Sequence, residues 1–239
     1  MNENNGVEHL DNPVCGGIWI SDMYRDWILS LSEGKVTITG YFGNPISMEI
    51  PSKIRGYPIV NIENGAFADC ISLTSIELPD SVANIGSRAF FNCNNLTSII
   101  IPNSVTAIGS WAFEDCRGLT SIELPGSVTS ISNGTFADCK NLTSIFISDS
   151  VVTIGDWVFY NCSSLITIEI PNSVTNIGEN AFFKCAKLTS IDIPNSVTYV
   201  GEDAFYGCKN LKKVTVSEKL FQENKDVFKQ LKDCEFIFS

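Results

Sequence analysis

The residues with the greatest potential for chemistry are seven cysteines that recur every 23 positions along the chain. They are Cys70, Cys93, Cys116, Cys139, Cys162, Cys185 and Cys208. A zinc site needs closely spaced ligands such as Cys-x-x-Cys, and a nucleophilic cysteine needs a histidine partner. The chain has no Cys-x-x-Cys pair, and its single histidine, His9, lies in a polar N-terminal stretch. We therefore expect neither a metal nor any other cofactor at these cysteines.

The same spacing argues against a disulfide framework. Parallel strands lie about 4.8 Å apart and disulfides join Cα atoms about 4.4–6.8 Å apart, so cysteines on adjacent coils are close enough to pair. Seven equivalent positions cannot all pair, however, and their Cβ atoms point the same way. Free cysteine is one of the most buried residue types and packs as a small apolar side chain. The pattern therefore predicts a ladder of buried thiols.

Other catalytic arrangements find no support in the sequence. It contains no Gly-x-Ser-x-Gly, no His-Glu-x-x-His and no glycine-rich loop for phosphate. Carboxylates do recur on the strands, but a repeat places such pairs side by side without any chemistry. We expect a protein without enzymatic activity.

The elements that carry these cysteines are regular repeats. Each cysteine follows a phenylalanine by three residues and precedes a leucine by three. A period of 20–50 residues is typical of a solenoid. Within one repeat, alternation turns Ile76 and Leu78 inward and Glu77 outward, and Pro79 ends the strand because it cannot donate to a ladder. A Gly-x-x-Ala-Phe segment then returns the chain as a short helical or 3-10 turn.

The pattern divides the chain into four parts. Residues 1–16 form a polar leader, and residues 17–48 a β-rich cap that contains a hairpin from Trp27 to Tyr41. Residues 49–216 hold seven 23-residue units. Residues 217–239 form the C-terminal cap, with a short helix and a final strand from Glu235 to Phe238.

The charge balance limits the classes of partner. With 27 acidic and 16 basic residues the net charge is −11, so the surface repels nucleic acid and anionic lipid alike. No apolar run approaches the roughly 18–20 residues that span a bilayer. The polar, acidic start of the chain differs from a signal peptide. We expect either a cytoplasmic protein or a trimmed form of a secreted one.

The repeat resembles that of a known family. The pattern Cys-x-x-Leu-Thr-Ser-Ile-x-Ile-Pro-x-Ser-Val-Thr-x-Ile-Gly-x-x-Ala-Phe is similar to the BspA-like leucine-rich repeat, also called the Treponema pallidum type, over residues 36–216. The resemblance implies an α/β solenoid: a right-handed, curved parallel β-sheet with short 3-10 or helical turns on its convex side, capped at both ends. It also implies a surface-exposed or secreted protein linked to adhesion and protein binding. Four positions depart from the pattern in the fourth and fifth coils: Ser132, Thr135, Ser148 and Val158.

The outward positions of the strands form the first candidate binding surface. Their central row contains Glu77, Ile100, Glu123, Phe146, Glu169 and Asp192. Phe146 lies between Glu123 and Glu169, an aromatic anchor with a polar rim that is typical of protein interfaces. The alternative interpretation is a solvated sheet face with isolated apolar residues.

A second candidate surface is aromatic. Trp111 and Trp157 occupy the same repeat position two coils apart, a distance of about 10 Å, with Gly134 between them. With Tyr160 they form either an aromatic cleft for a sugar or half-buried packing over the turn side.

These observations predict a non-enzymatic binding scaffold. The favoured ligand is a protein on the surface of a host or neighbouring cell, and carbohydrate is the alternative. A third hypothesis is a structural spacer within a larger surface protein.

Overall fold

The computed structural model describes the backbone of residues 18–19 and the whole of residues 26–239. The leader expected over residues 1–16 lies outside this described part. The chain forms a parallel β-solenoid of about nine turns with little helix, which confirms the predicted fold class.

The strands are short and follow one another around each coil. They are β1 (Ile18–Trp19), β2 (Trp27–Ser32), β3 (Lys35–Tyr41), β4 (Ser47–Glu49), β5 (Lys53–Ile54), β6 (Tyr57–Ile62), β7 (Ser75–Glu77), β8 (Asn84–Ile85), β9 (Ser98–Ile100), β10 (Ala107–Ile108), β11 (Ser121–Glu123), β12 (Ser130–Ile131), β13 (Ser144–Phe146), β14 (Thr153–Ile154), β15 (Asn176–Ile177), β16 (Ser190–Asp192), β17 (Tyr199–Val200), β18 (Lys213–Val216) and β19 (Glu235–Phe238). Two helices, α1 (Glu218–Glu223) and α2 (Lys225–Phe228), precede β19. Within the described residues no helix is long and apolar enough to cross a bilayer.

The predicted hairpin is confirmed. Strands β2 and β3 pair antiparallel, and Glu33 and Gly34 between them have φ angles of 50° and 72°. Two successive positive φ angles are what a type I′ turn requires. From β3 onward the chain winds into parallel coils, since β3 pairs in parallel with β6.

Two parallel ladders run along the solenoid. In the first, β4 pairs with β7 and β7 with β9, so that the outward side chains of successive coils lie side by side. We call this outward surface the strand face. In the second ladder, β6 pairs with β8 and β8 with β10. Because β4 and β19 join the first ladder at its two ends, the solenoid has more turns than it has cysteine-bearing repeats.

The third side of each coil is a series of hydrogen-bonded turns. The expected 3-10 turn is interrupted, because the residues two before and two after each phenylalanine have positive φ angles, as at Gly65 (67°) and Asp69 (62°). This alternation points N–H groups toward the next coil. The N–H of Phe67, for example, donates to the carbonyl of Ala89 at 2.8 Å.

The core consists of side-chain ladders. The seven phenylalanines are fully buried, and neighbouring rings stack with centroids 5.4 Å apart at Phe67–Phe90 and 5.3 Å apart at Phe90–Phe113. The repeat cysteines are free and buried, which confirms the thiol ladder. They also make a bond that the sequence did not reveal: Cys93 Sγ donates to the carbonyl of Phe67, 3.2 Å away. The equivalent thiols of Cys116, Cys139, Cys162, Cys185 and Cys208 do the same.

The last coil is covered by the C-terminal helices and strand. Ser217 caps α1 by accepting a hydrogen bond from the N–H of Leu220. Phe228 extends the phenylalanine ladder, its ring 6.3 Å from that of Phe205. Strand β19 pairs with β18, so the predicted final strand is confirmed.

Candidate functional site

The six strand-face residues expected to bind a partner all lie on the outward row of the first ladder. Strands β7, β9, β11, β13 and β16 end on five of them, and Glu169 forms a single bridge with Asp192. The flanking residues point inward, as Ile99 and Ile101 do around Ile100, so alternation alone exposes the row. Ile100 is 71% exposed and Phe146 is 58% exposed. These are large apolar side chains that the fold leaves in water.

A groove of about 790 Å³ crosses the strand face at these two residues. It brings together Ile100, Glu123, Phe146 and Glu169 from the predicted row. Glu77 lies outside it, in an adjoining hollow of about 310 Å³ that shares Ile100. Asp192 does not line the groove.

The groove is acidic. Glu123, Asp149 and Glu169 line it, and no lysine or arginine does. The ion pairs within residues 26–239 lie elsewhere, on the turn side (Arg88–Glu114, Arg117–Asp115, Lys140–Asp138) and in the C-terminal helices (Lys219–Glu223, Lys229–Asp226). The carboxylates of the groove are therefore available to a cationic ligand.

Asp149 and Asn103 are lining residues that the sequence interpretation missed. Both lie three residues after the outward row, at the position that follows the proline of the repeat pattern. The predicted row contains only the central outward residue of each repeat, and neither Asp149 nor Asn103 belongs to it. The repeat register would have found this second row, because every coil places the same position at the same edge of the strand face.

The groove lies where the two ladders are interrupted. Between the third and fourth coils, β9 does not pair with β11 and β10 does not pair with β12 in the described structure. The turn side continues without a break, since the N–H of Trp111 donates to the backbone carbonyl of Asn133 at 2.9 Å. We call this interruption the seam. On the strand face it runs between Ile100 and Glu123, inside the groove.

Ser132 accounts for the seam on the second ladder. In the preceding coil the N–H of Gly109 donates to the carbonyl of Ile85 at 2.8 Å, and a Cβ at Gly109 would come within 2.4 Å of the Ser87 nitrogen. Ser132 stands at the glycine position in the fourth coil and has that Cβ. Its hydroxyl, in place of its N–H, donates to the carbonyl of Ile108 at 2.6 Å.

The other departures from the repeat pattern are accommodated in the core or at its edge. Thr135 replaces an alanine and is fully buried, and its hydroxyl donates to the carbonyl of Ser132 at 2.7 Å. Val158 also replaces an alanine and is fully buried. Ser148 replaces the proline, and its hydroxyl lies 3.1 Å from that of Ser150. In the described structure the first ladder is also interrupted after β13, in the coil that carries Ser148 and Val158.

The aromatic surface differs in geometry from the expected open spacing. The rings of Trp111 and Trp157 stack with centroids 6.1 Å apart, closer than the roughly 10 Å between their coils. The stack forms because Gly134 has no side chain: a Cβ there would lie 2.0 Å from the Trp111 ring. Tyr160 belongs to a different stack, with its ring 5.0 Å from that of Phe183. In both stacks the sides of the rings that face each other are covered, and Trp111, Trp157 and Tyr160 all remain half-buried.

Among the described residues, no group of three or more histidine, cysteine, aspartate or glutamate side chains is arranged to hold a metal ion. Burial raises the pKa of the repeat thiols, to about 12 at Cys93 and Cys208, so they stay protonated at neutral pH. The arrangement on the strand face is thus one of contact surfaces and charge.

Comparison with known proteins agrees with this architecture. The family described as the BspA type leucine rich repeat region matches residues 60–186 and 130–238 in six copies. A crystal structure of a T. pallidum leucine-rich repeat protein is 29% identical, covers 90% of this chain and 97% of that one, and has a TM-score of 0.76. A leucine rich cell surface protein from Faecalibacterium prausnitzii is 21% identical, with 95% of each chain covered and a TM-score of 0.49. None of the curated proteins with which the chain was compared matches it.

Proposed function

The chain belongs to the BspA-type leucine-rich repeat family, whose members are generally non-catalytic binding scaffolds, and we propose that this protein binds a partner protein through its strand face. The family is often surface-associated. We propose that the partner lies on the surface of a host or neighbouring cell and that the protein acts in adhesion.

The observation that carries this proposal is the exposure of Ile100 and Phe146 in one groove. Two large apolar side chains in water, 71% and 58% exposed, offer the apolar centre of an interface. The carboxylates of Glu123 and Glu169 surround Phe146 and supply the polar rim. Aromatic side chains at the centre of an interface contribute much of its binding energy.

Binding of the labelled protein to cultured epithelial cells tests the proposal. We expect Phe146→Ala to weaken binding at least tenfold, since truncation of a central anchor costs about 2 kcal/mol or more. Tyr199→Ala is the matched control, because Tyr199 is an aromatic residue that is 46% exposed on the second ladder. Equal binding by the wild-type and Phe146→Ala proteins would show that the strand face is not the binding surface.

Enzymatic treatment of the cells separates the two classes of ligand. Trypsin treatment should abolish binding if the partner is a protein, whereas removal of surface glycans should leave it intact. The reverse result would favour carbohydrate, and the aromatic surface at Trp111 and Trp157 would then be the place to look.

A further inference from the structure

The apolar and acidic residues of the strand face alternate at a spacing that a partner must match. Along the outward row, Ile100 and Phe146 are separated by one coil, and Glu123 lies between them. Neighbouring coils repeat about every 4.8 Å, and the hydrogen-bonded turn side keeps them adjacent across the seam, so the two apolar side chains are roughly 10 Å apart with a carboxylate between them. A partner that contacts both must present two apolar groups at this distance.

An α-helix that lies along the solenoid axis meets this requirement. Side chains seven residues apart lie on the same face of a helix, about 10.5 Å from one another, and the residues three and four positions after the first lie between them. A β-strand does not fit, because its side chains on one face repeat about every 6.7 Å. The spacing of the row therefore selects a helix over an extended segment.

The charge of the groove defines the residue between the two apolar groups. Glu123, Asp149 and Glu169 line the groove with no basic residue among them, and the adjoining hollow adds Glu49 and Glu77. A lysine or arginine midway along the helix would meet Glu123, whereas an acidic residue there would be repelled.

We propose that the groove binds a cationic α-helix that has apolar side chains seven residues apart and a basic side chain between them. This inference rests on the proposed function, because it specifies the kind of segment that a partner protein would present to the strand face. It is the helix-in-groove mode of recognition, with coils in place of the usual groove helices.

Synthetic peptides test the inference directly. The first probe is an alanine-rich, end-blocked peptide of about 18 residues, long enough to be helical, with two leucines seven positions apart and lysines at the third and fourth positions between them. The matched control has the same composition but places the leucines five positions apart, on opposite sides of the helix. Fluorescence anisotropy with the full-length protein should show at least tenfold weaker binding of the control.

Charge reversal tests the central contact. Glu123→Lys should weaken binding of the first peptide at least tenfold, and replacing the peptide's lysines with glutamates should restore binding to this variant. Glu202→Lys is the control, since it makes the same charge change at an exposed position away from the groove. Equal binding of the two leucine arrangements, or equal effects of the two charge reversals, would overturn the inference.

The two proposals fail in different experiments. Cell binding uses no peptide, so loss of cell binding on Phe146→Ala together with indistinguishable peptides would leave the strand face as the binding surface and remove the helix. Cell binding that does not depend on Phe146 would instead reject the proposed function itself.

Discussion

At the scale of single residues, the stack of Trp111 on Trp157 depends on the absence of a Cβ at Gly134. Gly134 and Gly65 occupy the same repeat position and have nearly equal φ angles, 64° and 67°. A Cβ at Gly134 would overlap the ring of Trp111, whereas the nearest atom to a Cβ at Gly65 is 4.0 Å away. The two glycines therefore separate the cost of backbone strain from the cost of displacing a ring.

We expect Gly65→Ala to lower the free energy of unfolding by about 1–2 kcal/mol, the cost of a left-handed non-glycine residue. Gly134→Ala should lower it by about 1–2 kcal/mol more, since Trp111 must leave its stack on Trp157 and aromatic pairs contribute about 0.5–1.5 kcal/mol beyond their buried area. Urea unfolding measures both changes, and near-UV circular dichroism follows the tryptophan pair. Equal destabilisation by the two variants would contradict this account.

The thiol ladder makes stability depend on pH in the alkaline range. Burial raises the pKa of Cys93 and Cys208 to about 12 from an ordinary 9.0. Below pH 9 these thiols are protonated in both states, so their contribution to stability is fully present. Between pH 9 and 12 the unfolded chain loses the proton while the folded protein keeps it, and stability falls by about 1.4 kcal/mol per pH unit for each thiol.

The double variant Cys93→Ala, Cys208→Ala tests this linkage. Its free energy of unfolding should decline less steeply than that of the wild-type protein between pH 9.5 and 10.5, by about 2.7 kcal/mol per pH unit for two thiols. Urea unfolding at several pH values measures the slope, which is separate from any loss of packing at neutral pH. Parallel slopes would show that these thiols do not carry the pH dependence.

At the scale of elements, the break in the second ladder follows from one residue that has a side chain where its counterparts have none. Ser132→Gly removes the Cβ and lets the backbone N–H of residue 132 donate to the carbonyl of Ile108, as the N–H of Gly109 donates to the carbonyl of Ile85. We expect amide exchange over residues 130–132 to slow at least tenfold, because β12 can then pair with β10. Hydrogen–deuterium exchange with mass spectrometry measures this.

The control is Ser148→Pro, which also restores the repeat pattern but does not lie on the second ladder. Exchange over residues 130–132 should be unchanged in this variant. If Ser132→Gly also left that exchange unchanged, the cause of the seam would lie elsewhere than in the serine side chain.

The candidate site could be predicted from the sequence only in part. Alternation was enough to place Ile100 and Phe146 on the outward row, because side-chain direction in a strand follows from parity. The groove was not predictable, since it lies where the ladders are interrupted, and the periodic pattern treats all coils as equivalent. The stack of Trp111 on Trp157 was hidden for a related reason: coil spacing fixes the distance between backbones, but not the tilt of a ring over Gly134.

At the scale of the whole molecule, repetition made the fold predictable. Because seven repeats are in register, the direction of each side chain in the strand is indicated seven times over. The hairpin at Glu33 and Gly34 and the final strand Glu235–Phe238 have local sequence signals of their own. The repeat pattern does not indicate which side chains form hydrogen bonds within the core. The thiol of Cys93 was expected only to fill space, and its bond to the carbonyl of Phe67 depends on a rotamer that no pattern specifies.

A solenoid is held together by contacts between neighbouring coils, so the position of a deletion should matter more than its length. Removing residues 163–185 deletes one repeat and rejoins the chain in register, with Asp192 taking the place of Glu169. We expect this variant to fold and its free energy of unfolding to fall by about 1–3 kcal/mol, the share of stability for 23 residues.

Removing residues 217–239, also 23 residues, takes away Leu220 and Phe228 and uncovers Phe205 and the edge of β18. Because each large side chain returned to water costs about 1.5–3 kcal/mol, this variant should lose at least about 4 kcal/mol more and associate through the open end. Urea unfolding and size-exclusion chromatography with light scattering compare the two, and similar behaviour of both deletions would mean that the C-terminal helices and β19 do not act as a cap.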